Sequence, residues 1–539
     1  MLTRFIPSPS SLFRLTLACA ALLASSAAPA FCGFFAGRAG ASLFNEASQV
    51  ILVRDGNRTV ISMLNDYKGP LADFALVVPV PQVLERGQVR IGEKALFDRL
   101  DAYSSPRLAE YFDPDPCPDG RRRYDMMLKS GAMAKAEAPA LRELRDARAR
   151  ALGVAVEASY TVGEYDIVML SAKQSQGLET WLLENGYRMP SGAAAALQPY
   201  VALDMKFFVA KVNLKEQAAS GVHYLRPLQF AFESEKFMLP LRLGMINASP
   251  SKPQDLIAYV LTRGGRVESA NYRTVKLPAN ENLPPAIKRD FKSFYQALFD
   301  HQARQEDHRV VFTEYFWDMA WCDPCAADPL SADELRQAGV FWLDADVDTG
   351  RAAPAATPPP APPIPPRLRR APGGAQNALL TRLHVRYTPQ TFPEDLMFVQ
   401  TRDRQNWQTR YVVQQPFMGT LQACRDKTSA CEAGCGAAWN GRGVPDATQP
   451  AEFAQCVQQC QAYARASLEQ ARRYYDVDLP QRRRTELQTL RRYTGWSAEQ
   501  AQRLAGIPPE AEGAAGAGPG VPWWQALFGT PPGAGGATR

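Results

Sequence analysis

The chain has 539 residues, 46% of them hydrophobic and 22% charged, with a formal charge of +6. That composition fits a globular protein with a sizeable core and, by length, roughly two to four domains. The charge is too mild to point to nucleic acid, and four histidines (His223, His301, His308, His384) are too few for a His-rich metal centre.

Residues 1–30 read as an export signal. Arg4 and Arg14 supply positive charge, Leu15 to Leu23 a short apolar run, and Ala28-Pro29-Ala30 a small-x-small cleavage site. The mature chain is expected to begin at Phe31 with a formal charge of +4, and Cys19, preceded by LTLA, is a poor lipidation site. The run is too short to span a bilayer, and no later segment has about 18 uninterrupted apolar residues. A periplasmic or secreted protein without a transmembrane segment is therefore expected.

From Gln49, QVILVRDGNRTVISMLNDY places two Val/Ile/Leu-rich runs around Asp55-Gly56-Asn57, whose residues accept the positive φ of a tight turn, and predicts a β-hairpin. Strand-like runs follow at 74–81, 160–170, 205–214, 228–246, 255–263 and 309–321, separated by Gly, Pro or Asn, which favours antiparallel pairing. Helices are predicted over Lys94–Tyr103, Lys135–Leu152, Gly177–Asn185 and Lys288–Ala303. Residues 351–374, RAAPAATPPPAPPIPPRLRRAPGG, cannot pack as helix or central strand because Pro removes backbone donors and fixes φ. This Pro-rich insert reads as an extended spacer, and β-like text resumes at 378–388 and 396–417. From 421 to 506 the text is helical and Cys-rich, and 507–539 is a Gly/Pro/Ala-rich tail read as disordered, with one apolar patch, VPWWQALF. The fold class expected is α+β: a mainly antiparallel β-sheet body over 31–420 with interspersed helices, plus a disulfide-stapled C-terminal helical region.

Several phrases together, among them DFALVVPVP, YSSPRLAEYFDPDPC, YTVGEYDIVMLSA, FESEKFMLPLRLGMINA and LTRLHVRYTPQTFPEDLMF, resemble in this order the exported bacterial family catalogued as domain of unknown function 2330. The likeness covers about residues 30 to 420. It implies export and a shared fold, and it carries over no catalytic residue.

Export places the cysteines in an oxidising compartment. Nine follow the cleavage site, an odd number, so at least one stays unpaired. Cys431/Cys435 and Cys456/Cys460 are each spaced i, i+4, so two antiparallel helices would bring Cys431 to Cys460 and Cys435 to Cys456; a four-cysteine zinc site is the alternative. Cys424 shares that face but would oppose Ser467, which makes it the natural odd thiol. Cys32 and Cys117 are left over and are read as a pair, with a bond from Cys322 or Cys325 to either of them as the alternative. The sequence WCDPC holds Cys322 and Cys325 in a Cys-x-x-Cys motif, readable as a structural disulfide or as a redox pair. Ser331-Ala332-Asp333-Glu334 is a capping box that would start the next helix well past Cys322, denying its thiol the helix dipole.

His301 and His308 with Glu306 and Asp307, and Glu164 with Asp166, are weaker site candidates whose plain reading is solvated polar surface. The Arg482–Arg484 run, interleaved with Glu486 and Glu499, reads as a salt-bridged helix surface. No GxSxG elbow, P-loop or HExxH occurs and no cofactor is implied. Two functions follow: a non-enzymatic envelope protein that binds or scaffolds an envelope protein or ligand, or a thiol-disulfide oxidoreductase with Cys322 as nucleophile and Cys325 as resolving thiol.

Overall fold

The Asp55-Gly56-Asn57 turn forms as expected. In the computed structural model, Ser48–Asp55 and Arg58–Leu64 pair antiparallel from Gln49 opposite Leu64 to Asp55 opposite Arg58, and Gly56 takes a φ of 57°. The structure describes residues 34–35, 44–45, 48–64, 67–68, 75–117, 153–185, 192–220, 224–247, 253–323, 328–343, 377–426 and 451–505. The export segment, Cys32, the 135–152 helix, Cys325, the Pro-rich insert, Cys431, Cys435, the side chain of Cys456 and the 507–539 tail lie outside these residues.

The chain divides into two units, each discontinuous in sequence. Unit one takes Met1–Ser105, Ala138–Lys276 and Asp307–Trp407, and unit two takes Pro106–Glu137, Leu277–Glu306 and Gln408–Arg539.

Two large sheets frame unit one, beside a three-stranded sheet of Met238–Leu239, Leu396–Gln400 and Val267–Ser269. The larger runs, in hydrogen-bonded order, Arg273–Lys276, Val310–Asp318, Leu379–Tyr387, Gln254–Thr262, Ser48–Asp55, Arg58–Leu64, Leu228–Glu233 and Val89–Ile91. The smaller runs Phe34–Phe35, Ala75–Val80, Lys206–Val212, Tyr165–Ala172 and Val154–Val162. Pairing is mostly antiparallel, as the short alternating runs predict, but Gln254–Thr262 lies parallel to Ser48–Asp55, and Arg273–Lys276 lies parallel to Val310–Asp318. Strands Val310–Asp318 and Leu379–Tyr387, which flank the Pro-rich insert, are direct antiparallel neighbours.

Strand alternation sorts side chains into layers. Leu52, Ile61, Phe230 and Val260 of the large sheet pack on Val78, Ile167, Met169 and Phe208 of the small one, with Phe208 and Phe230 stacked 5.3 Å apart. The outer face of the large sheet buries Ile51, Val53 and Tyr259 under Phe97, Leu100 and Tyr103 of helix Lys94–Ser104 and Leu335 of helix Ala332–Ala338. The outer face of the small sheet buries Val77, Phe207 and Val209 under Leu178 and Trp181 of helix Ser175–Glu184 and Leu197 and Tyr200 of helix Ala193–Ala202. The order is therefore helices, sheet, sheet, helices.

Helix Ala193–Ala202 was not anticipated from the sequence. The run read as strand over 205–214 ends at Val212 because Asn213 caps a short helix, its side chain accepting from the Lys215 and Glu216 amides. The run read as strand over 228–246 stops at Glu233 and resumes only as the two-residue strand Met238–Leu239.

Unit two holds a three-stranded parallel sheet, Asn282–Leu283, Arg410–Gln415 and Arg107–Phe112, with helices Phe291–Gln305, Ala451–Arg473, Leu479–Thr494 and Ala498–Ala505. Tyr411, fully buried, meets Phe294 edge-on at 5.1 Å and Tyr493 at 6.2 Å. The Arg482–Arg484 run is less of a surface than the sequence suggests. Arg482 forks onto Asp113 at 2.9 and 2.7 Å, and Glu486, which is buried, pairs with Arg483 at 2.7 Å. Among the described residues, no helix is long and apolar enough to cross a membrane.

Candidate functional site

Between the two sheets of unit one, at one end of the sandwich, the packing opens into an apolar cavity of about 270 Å³. Ile61 and Met63 line it from the large sheet, Val78 and Met205 from the other side, and Ser234, Glu235 and Lys236 stand at its polar lip. A volume just under the roughly 300–1,000 Å³ common for ligand pockets suits a small apolar molecule or a short chain, with the polar residues left to hold one end.

The lip is preformed. The Ser234 amide donates to the Asn57 carbonyl at 2.9 Å, so the segment is tied back to the hairpin turn. Arg54 is buried and donates from Nη2 to the Glu235 carbonyl at 3.3 Å, while Nη1 donates to Thr59 at 2.6 Å. Its guanidinium also lies 5.3 Å over the Phe237 ring. At the far end, Asp395 accepts from the Leu241 amide at 2.8 Å, the Arg242 amide at 3.0 Å and Tyr200 at 2.6 Å. Burial first, and then the Asp395 charge, push the Tyr200 pKa well up, keeping it a neutral donor. The text past Glu233 is therefore strand only at Met238–Leu239, paired with Leu396–Met397, and elsewhere its backbone is held by the Arg54 and Asp395 side chains.

A group of buried charges lies on the outer face of the large sheet. Val310–Asp318 pairs Thr313 with Leu383 and then Tyr315 with Arg382, so Glu314 is the extra residue of a β-bulge. Fully buried, Glu314 accepts from Arg382 Nε at 2.6 Å and faces His384 Nδ1 at 2.6 Å. The other His384 nitrogen lies 3.3 Å from Asp255, which takes a fork from Arg386 at 2.8 Å on each oxygen. Arg382 also reaches Asp101 at 2.7 Å, and Tyr259 donates to the same carboxylate at 3.0 Å. Three carboxylates meet two arginines and one histidine, so protonated His384 balances the charge. Among residues in this group, His384 alone was noted in the sequence, only as one of four histidines; the bulge that aims Glu314 at it has no local signature.

The candidates read from the sequence are not brought together. Glu164 is fully buried and holds Arg226 at 2.7 Å, whereas Asp166 accepts from Thr161 at 2.8 Å, so the two carboxylates serve different partners. His301 sits in helix Phe291–Gln305 against the Gly495 cap, and burial, then Arg304, lower its pKa. Asp307 and His308 form a left-handed turn with φ of 51° and 55°. Among the described residues, no cluster of three His, Cys, Asp or Glu could hold a metal ion.

Cys322 is half-buried, just past strand Val310–Asp318, and its surroundings are anchored to that strand. Trp317 Nε1 donates to the Trp321 carbonyl at 2.9 Å, and Tyr315 donates to Asp323 at 3.0 Å. The capping box forms as predicted: the Glu334 amide donates to Ser331 Oγ at 3.2 Å and the Ser331 amide to Glu334 at 2.7 Å. The next described helix thus begins at Ala332, and its dipole falls off within a turn, far short of Cys322.

In unit two, Cys117 is bonded to Cys424, with Cα atoms 5.6 Å apart. This corrects two expectations, the Cys32–Cys117 pair and Cys424 as the odd thiol. Arg107–Phe112 and Arg410–Gln415 run parallel, so both chains leave the sheet at the same end and can meet a few residues on. Leu421, Leu468, Ala471 and Tyr475 pack around the bond. Cys424 Sγ also lies 3.8 Å from the Ser467 carbonyl oxygen, the residue opposite it in an antiparallel pairing of the two helical segments. Continued in sequence number, that pairing matches the bridges expected from the i, i+4 spacing, Cys431 with Cys460 and Cys435 with Cys456, of which Cys431, Cys435 and the Cys456 side chain lie outside the described residues. Cys460 is disulfide-bonded. Non-reducing peptide mapping is expected to recover Cys431–Cys460 and Cys435–Cys456 peptides; a Cys460 peptide linked to Cys32 or Cys325 would exclude this ladder.

A family described as an uncharacterized protein conserved in bacteria (DUF2330) matches over residues 26–399. No curated protein and no solved structure matches the chain.

Proposed function

We propose, for a chain that belongs to the DUF2330 family of bacterial proteins, that it is exported and works outside the cytoplasm as a non-enzymatic binding protein whose ligand is a small apolar or amphiphilic molecule. The observation that carries this reading is the apolar cavity between the sheets with its anchored polar lip. A lip held in place before the ligand arrives spares the ordering cost of binding. Lys236 at the mouth suits an amphiphile with an anionic head. Export is supported by the Arg4, Arg14 and apolar signal pattern and by the Cys117–Cys424 bond, since such bonds persist in oxidising compartments.

The test uses 1-anilinonaphthalene-8-sulfonate as fluorescent probe and octanoate as competitor. Octanoate is expected to displace the probe from the wild-type protein. Leu203→Trp, at a lining position that is 48% exposed, is expected to block the mouth and weaken octanoate by about tenfold, a loss of ~1.4 kcal/mol, with an unchanged unfolding midpoint. Failure of octanoate to compete, or equal affinity in the variant, would remove the cavity as the ligand site.

A further inference from the structure

We infer that the large sheet of unit one carries a second site, a groove lined by arginine and amide side chains that takes a small sugar acid, a ligand with one carboxylate and several hydroxyls. The groove encloses about 680 Å³ on the outer face of the sheet, where strands Arg58–Leu64 and Leu228–Glu233 pass beyond the cover of helix Ala332–Ala338. Phe232 borders both this groove and the apolar cavity, but the charged lining residues of the two are different side chains.

Arg58, Arg90 and Arg336 line the groove against a single lining carboxylate, Glu233. Glu233 is held loosely by Arg58 at 3.7 Å, both side chains being more than half exposed, and Arg336 pairs with Asp333 at 2.9 Å. Arg90 has no carboxylate within ion-pair distance among the described residues. Its Nε donates to Gln229 Oε1 and its Nη2 to the Arg336 carbonyl at 3.1 Å, so the guanidinium is oriented while its Nη1 edge is left for an incoming oxyanion. Desolvation lowers the Arg90 pKa with no neighbouring acid to offset it, and a ligand carboxylate would supply that missing charge.

Gln229, 2% exposed, is what fixes Arg90. Its Nε2 donates to Ser62 Oγ at 2.5 Å and to the Gln337 carbonyl at 3.1 Å, which leaves Oε1 to accept from Arg90. Gly339 keeps the wall thin. Its φ of 97° closes helix Ala332–Ala338, and a Cβ there would stand 2.6 Å from Val60. The rest of the lining suits a sugar better than a bare ion. Gln82 offers an amide that makes no hydrogen bond among the described residues, and Phe341 adds apolar lining and holds Arg58 in place, its guanidinium 5.1 Å over the ring.

Titration calorimetry of the full-length protein with glucuronate, glucose and inorganic phosphate tests the assignment. Glucuronate is expected to bind at least about tenfold more tightly than glucose or phosphate. Arg90→Gln is expected to weaken glucuronate by about tenfold or more with the far-ultraviolet circular dichroism of the fold retained, and Arg58→Gln, at a more exposed side chain, by a smaller factor with no shift in thermal midpoint. No binding of glucuronate, binding unaffected by Arg90→Gln, or phosphate binding as tightly as glucuronate would each overturn it. Octanoate is expected not to compete, so failure here and failure of the apolar cavity are read separately.

Discussion

Arg382→Ala is expected to destabilise unit one by about 3–5 kcal/mol, because it leaves Glu314 buried with its main counter-charge removed. Glu314 is 0% exposed and Arg382 6% exposed, so water cannot replace the lost partner. The change also strips Asp101 of its ion pair and uncovers the Tyr259 ring, over which the guanidinium sits at 5.3 Å. Urea unfolding, with hydrogen exchange followed in the Leu379–Tyr387 and Gln254–Thr262 strands, measures the loss. A loss below about 1 kcal/mol, the range of exposed pairs, would show that the network is hydrated.

The same network sets a pH profile of definite sign. Burial by itself lowers the His384 pKa, but Glu314 and Asp255 outweigh it and the net shift is upward. A pKa raised on folding stabilises fully below the unfolded value of about 6.5 and ceases to do so as pH rises through the folded value. Burial raises the Asp255 pKa, but His384 and Arg386 outweigh it and hold it below the ordinary carboxylate range. That contribution is present above about pH 3.9 and is lost as pH falls toward the folded value. The network therefore stabilises most between about pH 4 and 6.5, and His384→Gln is expected to flatten the loss on the alkaline side.

Cys117→Ser is the second large effect expected, about 2–5 kcal/mol within unit two. The bond joins residues 307 apart in sequence, so its absence returns a long loop to the unfolded chain. It also removes the centre around which Leu421, Leu468 and Ala471 pack. The readout is faster amide exchange in Arg107–Phe112 and Arg410–Gln415, the parallel strands beside the bond. Cys424→Ser should match it, and the double variant should cost no more than either single one.

The features legible in the sequence are those whose causes lie within a few residues. The hairpin at Gly56, helices Lys94–Ser104 and Ser175–Glu184, and the Ser331–Glu334 box each rest on a turn residue, a local cap or a hydrophobic period. The opposition of Cys424 and Ser467 follows from helical spacing as well, yet the true partner of Cys424 does not, because Cys117 arrives on a strand from the other end of the chain.

By itself, then, the sequence determined the α+β class, the mostly antiparallel pairing and the family, because alternation, turn chemistry and a long run of shared phrases are written along the chain. Only the tertiary structure decided the Cys117–Cys424 bond, the Glu314–His384–Asp255 network, the cavity and the arginine groove. The bulge at Glu314 shows the reason. Val311 faces the inner core while Tyr315 and Trp317 face the outer one, although an even alternation would put all three on one side. One unpaired residue, set by the register against Leu383 and Arg382, turns the strand over and delivers a carboxylate to Arg382 and His384 of the neighbouring strand. A pairing register is a property of two segments together, so neither segment's sequence contains it.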